Sequence, residues 1–189
     1  MMALPKRIFV TGTSTDIGKT VVSAILVAGL RAHYWKPVQT GRSLGTDTVW
    51  VAEHTGLPAL HFHKETYSLE APLSPHAAAA MEQVTIALDA FALPAVPSDA
   101  SLIVEGAGGL MVPLNDSAYM VDLIKRLDLP VILVASSELG TINHTLLSLL
   151  ELRRQAVPVV GVVMNGPRNA GNRDAIERYG EVPVLAEIE

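Results

Sequence analysis

The chain has 189 residues, 49% of them apolar and 17% charged, with a formal net charge of −5. That balance excludes a disordered chain, gives no basic footprint for nucleic acid, and includes no apolar run of the roughly 18–20 residues needed to span a membrane. With no cysteine, disulfides, thiolate metal sites and a cysteine nucleophile are excluded.

The start, Met1–Arg7, lacks the apolar core and cleavage site of a signal peptide, so the expected location is the cytoplasm. The length suits one domain over 1–189 with a full core. Short apolar runs alternate with helical patterns. The expected strands are Arg7–Thr11, His33–Val38, Ser101–Glu105, Val131–Ser136, Val159–Asn165 and Val184–Ile188. The expected helices are Lys19–Ala32, Thr46–Thr55, Pro75–Met81, Tyr119–Leu127, Ile142–Gln155 and Asn172–Arg178. The alternation predicts an α/β fold: a doubly wound, mostly parallel sheet between two helical layers. In such a fold the ligand lies beyond the carboxyl ends of the strands.

The first strand runs into Gly12-Thr13-Ser14-Thr15-Asp16-Ile17-Gly18-Lys19-Thr20, and a helix follows. A glycine-bounded loop at that junction turns successive N–H groups toward one anion, assisted by the helix N-terminus. Lys19 then reaches the β- and γ-phosphates of a nucleoside triphosphate, and the Thr20 hydroxyl reaches Mg²⁺. The spacing departs from G-x-x-x-x-G-K-[ST] by one additional residue between Gly12 and Gly18. The competing reading is a turn that merely starts a helix.

The other strand ends carry further candidates. Lys36, in Lys36-Pro37-Val38-Gln39-Thr40-Gly41, is either a second cation over a phosphoryl group or a lysine snorkelling at the sheet rim. Asp47 either caps a helix or ligates Mg²⁺. Glu105, in Val104-Glu105-Gly106-Ala107-Gly108-Gly109, is a metal ligand or a rim carboxylate, and its glycines admit a ligand close to the backbone. The segment Leu139–His144 opens a helix whose free N–H groups suit a carboxylate, or is simply a capped start with Thr141 or Asn143 as cap. Asn165 offers the donor and acceptor that adenine recognition needs, or stabilises a turn. The irregular stretch Leu57–Leu73 holds His61 and His63, with His76 nearby, which read as surface or packing histidines in the absence of a third ligand of matching spacing.

Taken in order, these segments resemble the dethiobiotin synthetase family over nearly the whole chain. The landmarks are GTSTDIGKT at 12–20, KPVQTG at 36–41, Asp47, PLSPH at 72–76, VEGAGG at 104–109, PVILV at 130–134, LGTINH at 139–144 and Asn165. The additional loop residue is itself a feature of that family. The resemblance implies a P-loop NTPase-like fold, a homodimer, and ATP-driven closure of a cyclic urea from 7,8-diaminononanoate and CO₂ through a carbamate and its phosphoric anhydride. It implies that Lys19 and Lys36 stabilise phosphate and carbamate charge, and that Thr20, Asp47 and Glu105 hold Mg²⁺. Gly12, Thr13, Thr15, Asp16, Ile17 and Gly18 meet the nucleotide, and Asn165 meets adenine. Thr15, Lys36, Thr40 and Gly108 meet the diamine or carbamate. Gly140, Thr141, Ile142 and Asn143 receive the substrate carboxylate from the neighbouring subunit.

Thr40 stands where the family commonly has serine, which keeps the hydroxyl. The sequence given stops at Glu189, without the family's proline-containing adenine loop and terminal helix, which predicts loose nucleotide selectivity. The rival readings are a cobyrinate amide synthase-like ligase, a ParA/MinD-like nucleotide switch, and a non-catalytic nucleotide-binding module. The switch class usually carries a lysine early in the loop, where this chain has Thr13 and Ser14. Intact Lys19, Thr20, Asp47 and Glu105 argue against the module.

Overall fold

The computed structural model describes residues 4–189; the first three residues of the N-terminal reading fall outside it. Seven strands form one parallel sheet: β1 (Arg7–Gly12), β2 (His33–Trp35), β4 (Phe62–His63), β6 (Leu102–Gly109), β7 (Val131–Ser136), β8 (Val159–Asn165) and β9 (Val184–Ile188). Their order is β4-β2-β6-β1-β7-β8-β9, and β3 (Val38–Gln39) pairs separately with β5 (Tyr67–Ser68). The helices are α1 (Lys19–Leu30), α2 (Asp47–Thr55), α3 (Pro75–Met81), α4 (Met120–Leu127), α5 (Thr141–Arg154) and α6 (Ala170–Gly180). Among the described residues no helix is long and apolar enough to cross a membrane.

Strand alternation sorts the core. Ile8, Val10, Tyr34, Ile103, Ile132 and Val134 face α1 and α2, whereas Phe9, Trp35, Val104, Leu133 and Met164 face the layer that holds α4, α5 and α6. The chain leaves β1 through α1 toward β2, on one side, and leaves β6 through α4 toward β7, on the other. The direction of winding therefore reverses between β1 and β6, and the crevice beyond their carboxyl ends is where such a sheet receives a ligand.

Several boundaries differ from expectation. The strand expected over His33–Val38 is divided: β2 ends at Trp35, and Val38 begins the two-residue ladder with β5. Pro37 has no N–H to continue the ladder. The strand expected to end at Glu105 continues to Gly109, with a register irregularity opposite Val10–Gly12. Leu57–Leu73 contains β4 and β5, each too short to show periodicity.

The histidines of that stretch pack at the sheet edge. His33 Nδ1 and His63 Nε2 lie 3.0 Å apart, His61 stacks on His33 with centroids 4.8 Å apart, and His61 Nδ1 lies 3.1 Å from the Ala32 carbonyl. Burial, reinforced by the neighbouring imidazoles, pushes both His33 and His63 below the usual histidine pKa. The unfolded chain thus binds more protons than the native one just below the ordinary value of about 6.5. This contribution to stability is present above that pH and is lost as pH falls through the depressed native values. Denaturant midpoints should fall between pH 7 and 5, and His63→Gln should flatten that slope; an equal slope in both proteins would remove the histidines from the account.

Candidate active site

The loop after β1 is built around two close approaches. A Cβ on Gly12 would lie 2.6 Å from Ile17 Cγ2, and one on Gly18, whose φ is +95°, would lie 2.3 Å from Asn165 Nδ2. Asp16 also has positive φ, at 55°. The loop is tied to the sheet by Thr13 N donating to Val134 O at 2.9 Å and by Asn165 Nδ2 donating to Ile17 O at 3.1 Å. Gly18 precedes the first turn of α1 without any side-chain cap, which leaves the helix N-terminus open. Lys19 Nζ folds over the loop and donates to Ser14 O at 3.0 Å. Burial, with the Lys36 charge next in weight, lowers its pKa to about 8.

The acidic and basic groups converge across the crevice. Glu105, fully buried, accepts at Oε1 from Thr20 Oγ1 at 2.9 Å and from Lys36 Nζ at 3.0 Å, and at Oε2 from Tyr34 Oη at 2.9 Å. Lys36 also forms an ion pair with Asp47. Burial of the Lys36 ammonium opposes its charge, but the two carboxylates outweigh that effect and raise its pKa. Alternation explains the meeting: Tyr34 and Lys36 sit two residues apart on one face, and Glu105 follows Ile103 onto that same face, toward α1. The rim-snorkelling alternative for Lys36 is overturned, because its side chain is buried between carboxylates.

Asp47 does not cap α2. Thr46 does, with Oγ1 accepting from Val49 N at 3.2 Å, so Asp47 remains free to face the crevice. Neither Thr141 nor Asn143 caps α5: the N-cap is Gly140, and Thr141 Oγ1 donates to Ser136 O at 2.6 Å. Two groups escaped the sequence reading. Tyr34 needs the β2–β6 register to be seen, although its i, i+2 spacing from Lys36 was a usable signal. Gln39 accepts at Oε1 from Asp47 N at 3.0 Å and so positions the start of α2.

A cleft of about 930 Å³ opens over this cluster. Thr15, Asp16, Gly18, Lys19, Thr20, Lys36, Thr40, Asp47, Glu105 and Gly108 all line it. Gly12, Ile17 and Asn165 do not line the cleft, and Thr13 faces a neighbouring hollow with Thr15, Met111, Val112 and Leu147. Gly140, Thr141, Ile142 and Asn143 do not line the cleft of their own chain.

An open helix start, a glycine-bounded loop and a lysine–hydroxyl pair at the reversal point of a parallel sheet define a P-loop nucleotide-binding protein. Residues 6–189 match the AAA domain family. A putative plasmid partition protein from Borrelia burgdorferi shares the fold, with a TM-score of 0.54 at 14% identity over 98% of this chain and 85% of that one. The chain is 55% identical over 184 residues to the ATP-dependent dethiobiotin synthetase BioD of Paramagnetospirillum magneticum, covering 97% of this chain and 88% of that protein. It is 48% identical over 182 residues to the enzyme of the same name from Rhodopseudomonas palustris, covering 96% and 86%. The chain belongs to the ATP-dependent dethiobiotin synthetase family.

Proposed function

We propose that this chain closes the ureido ring of dethiobiotin from 7,8-diaminononanoate, CO₂ and ATP, as a cytoplasmic homodimer that uses Mg²⁺. The observation that carries the reading is the convergence of Lys19, Lys36, Thr20, Asp47 and Glu105 on one cleft. Hard oxygen donors with two carboxylates suit Mg²⁺, and the cluster already holds a cation, since the Lys36 ammonium lies between Asp47 and Glu105. Thr20, Asp47 and Glu105 would hold the metal, which supplies charge neutralisation across the phosphate oxygens.

One amine of the substrate attacks CO₂ and loses a proton, giving a carbamate. A carbamate oxygen attacks the γ-phosphorus and ADP leaves. The second amine attacks the carbonyl carbon and releases a proton, phosphate leaves with the bonding pair, and the neutral cyclic urea remains. Each step gathers or spreads negative charge, so positioned cations and N–H donors do most of the work. Lys36 supplies an ammonium that stays protonated beside the carbamate. Lys19 spans the phosphates, whose charge favours its protonated form. Thr15, Thr40 and Gly108 bound the space left for the diamine, and Asn165 contributes to the adenine end.

The dimer reading draws on a row of exposed apolar side chains. Met111, Leu139, Leu147 and Leu150 stand out on and beside α5, next to the hollow of about 400 Å³ that Thr13 and Thr15 share. A second copy covering this face brings Gly140–Asn143 to the far end of the substrate. Incubation with the diamine, bicarbonate, Mg²⁺ and ATP should yield dethiobiotin by mass spectrometry, and absence of product from folded protein counts against the reading. Sedimentation should give a dimer, and Leu147→Glu should give a monomer with a raised KM for the diamine; a fully active monomer would refute the shared site.

A further inference from the structure

Glu105 has two carboxylate oxygens with different surroundings. Oε1 faces the crevice, where Thr20 Oγ1 lies at 2.9 Å and Lys36 Nζ at 3.0 Å. Oε2 is turned the other way, onto the Tyr34 hydroxyl at 2.9 Å. Tyr34 is fully buried, on the middle of β2, where it pairs with Ile103 of β6. Its ring is wedged in the core layer facing α1 and α2, beside Phe62 at 6.5 Å between centroids. The hydroxyl has no freedom to leave, and no solvent competes for it.

We propose that Tyr34 is a positioning residue that confines Glu105 to one-oxygen ligation and thereby selects Mg²⁺ over Ca²⁺ at this site. The inference rests on the metal reading given above. With Oε2 committed to the phenol, Glu105 presents a single oxygen to the cleft and its carboxylate plane is fixed. Mg²⁺ prefers a near-ideal octahedron of single-oxygen ligands and waters, whereas Ca²⁺ accepts two oxygens from one carboxylate in a larger, looser shell. Outer partners that orient a metal ligand affect affinity about 10–100-fold.

The test titrates Mg²⁺ and Ca²⁺ calorimetrically into the protein saturated with a non-hydrolysable ATP analogue. Tyr34→Phe removes the hydroxyl and keeps the ring; Tyr34→Leu serves as a second deletion should Phe fail to fold. Mg²⁺ affinity is expected to fall about tenfold, while Ca²⁺ affinity holds or rises, so the Mg²⁺/Ca²⁺ ratio narrows by at least that factor. A ratio unchanged from native, whether both affinities hold or both fall together, overturns the proposal. Glu105→Gln separates the two levels of the argument. If it weakens Mg²⁺ binding and Tyr34→Phe does not, Tyr34 has no such role and the metal site stands. If Glu105→Gln leaves Mg²⁺ affinity unchanged, the metal reading itself falls, and this inference falls with it.

Discussion

Lys36→Met is expected to lower turnover by about 10²–10³-fold, the usual cost of removing one fixed charge-stabilising donor, while nucleotide affinity stays close to native. Methionine keeps the length of the side chain and avoids a cavity. The variant has a second expected phenotype that a lysine acting only on substrate would not show. Lys36 is the partner of a fully buried Glu105 and of Asp47. Removing one member of a buried ion pair costs roughly 3–5 kcal/mol because the remaining charge is uncompensated. At about 2–4 °C per kcal/mol for a chain of this size, the Tm should drop by about 10 °C. Mg²⁺ with nucleotide should restore more of that loss than the same addition gains in the native protein, since the carboxylates then regain a cation. Calorimetry and scanning fluorimetry in EDTA and in Mg²⁺ measure both effects. Near-native turnover would remove Lys36 from the chemistry, and a Tm indifferent to Mg²⁺ would separate the carboxylates from the metal.

The fold was legible wherever burial and chemistry act locally. Val131–Ser136, Val159–Asn165 and Val184–Ile188 have the expected bounds, because each is a mainly apolar run that opens on valine directly after a proline. The continuation of β6 through Gly106–Gly109 was not legible: glycine disfavours strands, and here neighbouring backbone, not side-chain pattern, carries the pairing. A Cβ at Gly106 would lie 2.8 Å from Phe9 Cε1, so the glycine reflects close packing against β1.

The site divides the same way. The phosphate loop is written in consecutive residues. Lys36 and Glu105 stand out in the sequence because both fall where a strand is expected to end, and an α/β sheet gathers its ligand groups there; in the fold Lys36 lies just past β2 and Glu105 lies within β6. Tyr34 and Gln39 act through residues on other elements, and their partners follow from register and loop path. His61 and His63 show the converse: a metal-like spacing whose two imidazoles stack on His33 at the sheet edge.

Gly18→Ala is expected to weaken triphosphate binding about 100-fold. The new Cβ meets Asn165 Nδ2 at 2.3 Å while the residue is held at φ +95°. The left-handed conformation costs an alanine about 1–2 kcal/mol, and displacing Asn165 forfeits its bond to Ile17 O, worth about 1 kcal/mol. Together these reach roughly the 2.7 kcal/mol that corresponds to 100-fold. Asn165 is also proposed to meet adenine, so ATP alone would mix the two effects. Tripolyphosphate has no base and reports the loop by itself. Calorimetry with it should show the full loss in Gly18→Ala, about a fivefold loss in Asn165→Ala, and no further loss in the double variant, where the Asn165 bond is already forfeit and the left-handed strain persists. Additive losses in the double variant would mean that the two side chains do not oppose each other, and native affinity in Gly18→Ala would mean that the loop's N–H groups are not what holds the phosphates.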